Sequence, residues 1–228
     1  MTTKEEAASL RETLAKTHER HHLCGPDTRL VVEGYPRSSN SYAVDMIGEA
    51  AIGFVHRSKI GHHTHEVANL QIADAYGIPK VILIRAPEDA ILSFHIYSQA
   101  PIARCATKYA DFYAGAIKLL GKNTAVIHFR DIIGDFSRVI ARINAIGDFN
   151  IPEDQDYDMI RTRALGLVRG RLAKASAEDA MRQVAAPNEE REEIKKALRA
   201  DVQTFLNDHP RAQRVYARMM EKAGLEQA

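Results

Sequence analysis

At 228 residues the chain is long enough for one substantial core and short for two ordinary domains, and 45% hydrophobic with 27% charged residues is a globular balance. A net charge of +1 excludes a general nucleic-acid or membrane-surface binder, so any anion site must be a local concentration of charge. The N-terminus lacks the apolar core of a signal peptide, no apolar run approaches a membrane span, and Cys24 and Cys105 stand far apart as reduced thiols would; the expectation is a cytoplasmic protein without a membrane span.

In chain order, residues 4–20 are charged with Ala7, Leu10 and Leu14 at helical spacing, which predicts an amphipathic helix. Leu30, Val31 and Val32 form a short buried strand that Gly34 and Pro36 break, and an Ala-rich helix is expected over 39–52. An irregular, His-rich piece follows. A helix over 66–76 stops at Gly77-Ile78-Pro79, and Lys80 to Arg85 is the strongest strand. Pro87 opens a helix through about Gln99, with Glu88 and Asp89 suited to its first turn. Tyr109, Phe112, Tyr113, Ala116 and Leu120 make a helical stripe that is most simply core. Residues 124–129 read as a third strand, and Phe136, Val139, Ile140, Ile143 and Ile146 line a helix. Residues 150–187 are weakly periodic and basic, with Arg161, Arg163, Arg169, Arg171 and Lys174, and helices over about 188–207 and 210–223 close the chain. Strands alternating with helices predict one α/β domain over 1–228, with a mostly parallel sheet in a core of about 28–150 and a helical part after 151. The crossover rule puts the loops after the first two strong strands at the same carboxyl edge, where open α/β sheets bind ligands.

Two stretches carry chemistry. In the first, strand, tight turn and helix surround Arg37-Ser38-Ser39-Asn40-Ser41. Backbone N–H groups at a helix N-terminus favour an anion, Arg37 adds a positive charge, and the Ser and Asn side chains add donors. The Walker pattern fails, because Ser39 stands five residues after Gly34 and no Lys follows; G-x-G-x-x-G is absent. The plain alternative is an ordinary strand-to-helix turn. In the second, a strand ends at Arg85, Pro87 turns the chain, and Ser93 follows on a helix, so a guanidinium fork and a hydroxyl can meet one phosphate.

The segment GYPRSSNS resembles the phosphosulfate loop of sulfotransferases, P-[KR]-[ST]-G-[TN]-[TS], and RAPEDAILS resembles their 3′-phosphate motif, R-x-P-x-D-x-x-x-S. The likeness continues to about residue 147 and is loose beyond it. It implies a P-loop-like sulfotransferase fold, with 3′-phosphoadenosine 5′-phosphosulfate (PAPS) as donor and metal-free sulfuryl transfer to a hydroxyl or amine of a small molecule or glycan. Arg37, Ser38, Ser39, Asn40 and Ser41 would then hold the 5′-phosphosulfate, and Arg85 and Ser93 the 3′-phosphate. Ser39 departs from the family's Gly, so it must take that position's backbone conformation at some cost. Arg169-Gly170 is the nearest counterpart of a late Arg-Gly segment that covers the 3′-phosphate, although such a charge run is more often a solvated face.

Sulfuryl transfer needs a base for the acceptor and positive charge at the leaving phosphate. A histidine suits the first task and Arg37 the second. His62-His63-Thr64-His65-Glu66 lies between the two motifs, and Thr64-His65 matches the end of the family's Lys-Thr-His segment. His65 is therefore the first candidate base and His63 the second, with Glu66 able to orient an imidazole or to serve as base itself. Zinc is a rival, but Glu66-Val67-Ala68 does not continue a H-x-H-x-D-H motif. His95, His128 and His21-His22 read as structural or surface residues, His95 being a lesser pocket candidate. Alternatives from other classes are a P-loop-like kinase or nucleotide hydrolase, which the missing Walker Lys disfavours, and a non-catalytic nucleotide-binding protein. Neither the acceptor nor the oligomeric state is encoded in a readable motif.

Overall fold

The computed structural model describes residues 2–173 and 189–225. They form one sheet of four parallel strands flanked by helices: β1 (Leu30–Gly34), β2 (Ile60–His62), β3 (Lys80–Ile84) and β4 (Thr124–His128), in the order β2-β1-β3-β4. Val32 of β1 stands beside His62 on one side and Val81 on the other, and Ile84 pairs with His128.

Strand side chains alternate between two cores, as a sheet covered on both faces requires. Val31, Ile82, Ile84 and Val126 pack against α1 (Lys4–Leu14), α3 (Val67–Ala75), α4 (Pro87–Ser98) and α5 (Ile102–Ile117), together with α9 (Glu189–Asp208) and α10 (Arg211–Lys222). Leu30, Val32, Val81, Leu83 and Ile127 pack against α2 (Asn40–Ala50), α6 (Phe129–Ile133), α7 (Phe136–Ile146) and α8 (Tyr157–Leu172). Cys24 and Cys105 are both buried and unpaired, and burial pushes the Cys24 thiol up to about 12, which makes it inert.

Several elements differ from expectation for identifiable reasons. The first helix is fixed at its start by a Thr3–Glu6 capping box but ends at Leu14, and a 3-10 turn (Arg20–His22) follows. Strand β2 is a three-residue edge strand, Ile-Gly-His, too short to show a period. Helix α5 begins at Ile102, seven residues before the aromatic stripe, because Pro101 caps it. Helix α8 lies inside the segment expected to be irregular; its buried residues are Ile160, Ala164 and Val168, a single narrow stripe on a basic helix. Lys174 and residues 174–187 of that segment lie outside the described residues.

The chain steps from β1 outward to β2 and then crosses back past β1 to β3. Strand order thus reverses between β1 and β3, and the crevice outside their carboxyl ends is a topological switch point, the place where such sheets bind ligands. Gly34, the last residue of β1, makes that crevice possible: a Cβ there would lie 2.7 Å from the Leu83 carbonyl oxygen and 2.9 Å from the Leu83 Cβ on β3. Because the obstacle is partly backbone, Gly34→Ala should cost about 1–3 kcal/mol by overpacking. A urea midpoint unchanged from that of the native chain would contradict this account of the β1–β3 contact.

Candidate active site at the β1–β3 crevice

The turn after β1 folds tightly around two left-handed residues, Arg37 (φ 68°) and Ser39 (φ 69°). The conformation expected of Ser39 is therefore present, and Arg37 shares it, at the cost that side chains incur in this region. Ser38 N–H donates to the Tyr35 carbonyl at 3.2 Å, closing the turn. Ser39 precedes α2 without any side-chain cap, which leaves the first turn's N–H groups directed outward from the helix end. The side chains expected to supply donors are mostly used within the protein. Asn40 Nδ2 donates to the Tyr35 carbonyl at 3.0 Å, and its Oδ1 is buried without a hydrogen-bond partner. The Ser38 hydroxyl is buried 3.5 Å from the Tyr113 hydroxyl, which itself donates to the Leu83 carbonyl. Ser41 Oγ lies 2.6 Å from His63 Nε2. What the loop offers an anion is chiefly backbone and Arg37.

The second stretch meets the first directly. Arg37 Nε donates to Ser93 Oγ on α4 at 3.3 Å, and Arg85 Nη1, just past β3, donates to the Arg37 carbonyl at 3.2 Å. The Arg85 guanidinium stacks 4.2 Å from the Phe129 ring centroid and stands 3.9 Å from Asp89, while its Nε is buried and unpartnered. A buried N–H donor left unpaired in a fold is costly, so Arg85 Nε is a candidate contact for a bound acceptor. Glu88 and Asp89 at the start of α4 are held by Arg199 from α9. Arg37 also lies 5.3 Å from the Tyr97 ring centroid.

The histidine segment runs from β2 across the same edge, and its placement is set by Glu33, which sequence reading passed over. This β1 carboxylate is fully buried. Its Oε1 accepts from the Thr64 N–H (3.0 Å), Thr64 Oγ1 (2.8 Å) and Asn69 Nδ2 (2.8 Å), and its Oε2 from the His65 N–H (2.9 Å). An acidic residue inside an otherwise apolar strand was the signal available. Held in this way, His65 directs Nδ1–H to the Gly34 carbonyl at 2.7 Å, which fixes the tautomer and leaves the Nε2 lone pair available in the neutral ring. His65 also borders an open groove of about 650 Å³ between α3 and α5, which Glu66, Arg104, Thr107, Lys108 and Asp111 help to line.

His63 is differently employed. Both its nitrogens are engaged, Nε2 with Ser41 and Nδ1 with His62 Nδ1 at 2.6 Å. Burial, and then the neighbouring rings, push His62 down to about 2 and His63 down to about 3. His95 and His128 are structural, as expected: His95 Nδ1–H donates to the Ala100 carbonyl, and His128 accepts from the Arg130 N–H.

Arg169 and Gly170 are exposed on α8, and the described residues give neither a contact with the loop. Arg171, the next residue, reaches α2 instead. Its guanidinium and that of Arg57 close on the fully buried carboxylate of Asp45 in α2, with Arg171 Nη1 at 3.2 Å from Oδ1. Asp45 lies within the expected helix, but its partners Arg57 and Arg171 lie outside that helix, so no pattern within it pointed to the carboxylate.

The row of neutral histidines has a pH signature. Their folded pKa values lie below the ordinary 6.5, so between about pH 6.5 and 3 the unfolded chain binds more protons. Their contribution to stability is complete above pH 6.5 and is lost as pH falls toward 3. The melting temperature should drop on acidification through this window, and a His62→Gln, His63→Asn double variant should show a shallower decline. An equal decline in both chains would assign acid lability to other groups.

Comparison of the chain with protein-family models, with curated proteins and with solved structures finds no match in any of the three.

Proposed function

We propose that the chain is a sulfotransferase of the P-loop-like type, moving a sulfuryl group from PAPS to a hydroxyl or amine. The observation that carries the reading is the junction of the two stretches: Arg37 bonded to Ser93, Arg85 bonded to the Arg37 backbone, and a buried, unpartnered Arg85 Nε between them, all at the β1–β3 switch point. A nucleotide carrying phosphates at both 3′ and 5′ positions fits such a crevice, because Arg85 and Ser93 form one anion-binding end and the Arg37–Ser41 turn with the α2 N-terminus forms the other. The orphaned Arg85 donor meets its acceptor in a 3′-phosphate.

When bound, the donor supplies an activated sulfuryl group on a good leaving phosphate. The residues of the chain then have separable tasks. Arg37 and the outward N–H groups of α2 stabilise negative charge that grows on the leaving oxygen. His65 Nε2, its ring held by the bond from Nδ1–H to Gly34, takes the proton of the acceptor. The groove beside His65 is the acceptor's approach, and its mixed charge favours a polar acceptor. His63, engaged at both nitrogens, positions Ser41 rather than acting as base.

Calorimetry with the desulfated nucleotide, 3′-phosphoadenosine 5′-phosphate, and without added metal tests the donor. Micromolar binding that Arg85→Ala weakens about tenfold to a hundredfold is the expected result. Binding of ATP with Mg²⁺ in its place would replace the proposal with a kinase or nucleotide hydrolase.

The base is tested separately with His65→Asn. Asn keeps an N–H for the Gly34 carbonyl and tolerates the left-handed backbone of His65 (φ 55°), but has no group at the Nε2 position. With labelled donor and a panel of hydroxyl and amine acceptors, turnover should fall about a hundredfold or more while nucleotide affinity is retained. Undiminished turnover in this variant would remove His65 from the role.

A further inference from the structure

We infer that the 3-10 turn after α1 carries a site for a divalent transition metal of the zinc type, with the Glu19 carboxylate and the His21 and His22 imidazoles as its ligands. This site is separate from the anion crevice and does not depend on the sulfuryl-transfer reading.

The geometry is close to what a metal requires. Among the described residues these three form the group whose ligand atoms all lie within 4.8 Å of one another. His21 Nδ1 is already 3.3 Å from Glu19 Oε2. Tetrahedral ligands about 2.1 Å from a zinc ion stand about 3.4 Å apart, so that pair is at coordination spacing. The remaining adjustment falls on the side chains able to make it: Glu19 and His21 are 72% and 66% exposed.

His22 supplies the fixed point. It is half-buried, its ring centroid 4.1 Å from that of His21 and 4.6 Å from that of His62 on β2. The turn is thus anchored to the sheet edge before any metal arrives, which lowers the ordering cost of binding. Two nearby histidines are excluded by their own bonds. His18 Nε2–H donates to the Thr64 carbonyl while its Nδ1 accepts from the Thr17 hydroxyl, and His63 is engaged at both nitrogens. His63-x-His65, the pair that invited zinc in the sequence, is therefore committed to the crevice, while His21-His22, a surface pair by sequence, has the metal geometry.

The donor set names the ion class. Two imidazole nitrogens with one carboxylate oxygen suit zinc, copper or nickel and not calcium or magnesium, which take oxygen ligands. Three ligands from a single turn leave the fourth position to water, so the site is open and exchangeable.

The test is calorimetric titration of the untagged full chain, stripped with chelator, using Zn²⁺ alone and Mg²⁺ alone. One equivalent of zinc should bind with micromolar affinity while magnesium gives no heat. His21→Ala and Glu19→Gln alter exposed side chains, so each should melt like the native chain yet bind zinc at least about tenfold more weakly. His209→Ala, an exposed histidine elsewhere, should bind as the native chain does. Absence of zinc binding, or binding unchanged in either ligand variant, would overturn the site.

Discussion

The buried carboxylate of Glu33 is the constraint on which the candidate site depends. An ion in the interior is tolerated only when its lone pairs are met, and here four donors meet them from two other parts of the chain. All four contacts are donors and satisfy both carboxyl oxygens as acceptors. They fasten the segment after β2 and the first turn of α3 to β1. The Thr64 carbonyl extends the network to His18 beyond α1, so the orientation of His65 is set by contacts spread over three elements. Replacing this carboxylate would leave four donors facing one another inside the core.

A second consequence of the fold is that the two proposed anion-binding ends are mechanically joined. The Arg85 side chain holds the backbone of the turn that carries Arg37, and Arg37 holds Ser93 on the helix that follows Arg85. In the proposed reading, occupation of one end would pre-orient the other through these bonds. Helix α4 is braced in turn by Arg199 acting on Glu88 and Asp89, which ties the C-terminal part of the chain to the crevice.

Much of this was legible in the sequence wherever the signal was local. Apolar β-branched runs marked β1, β3 and β4, and Gly or Pro marked their ends. The Arg37 turn and the Arg85–Ser93 pair could be placed at one edge because parallel connectivity leaves little choice. Illegible parts depended on partners distant in sequence. Strand β2 is read only through its pairing with β1. Helix α8 hides its stripe of Ile160, Ala164 and Val168 among arginines, of which Arg171 is matched by Asp45 more than a hundred residues earlier. Glu33 passes as an ordinary strand residue until its donors are seen. The side chains of Ser38 and Asn40 looked like ligand donors, because spacing alone cannot tell that Tyr113 and the Tyr35 carbonyl have claimed them.

Four residues around the crevice, Arg37, Ser39, His63 and His65, have positive φ without being glycine. That places an unusual limit on how the site can vary. A Val, Ile or Thr at any of these positions would set a branched Cβ against the adjoining carbonyl and disfavour the turn, whereas Gly, Asn or Asp would relax it. Substitutions acceptable to the backbone are thus small and polar or absent of side chain, and at Arg37, His63 and His65 they are the ones that give up a guanidinium or an imidazole. At these three positions the proposed chemistry and the backbone preference pull in opposite directions, so a library selected for stability alone would drift away from the guanidinium and the imidazoles, and one selected for the proposed activity would hold the strain in place.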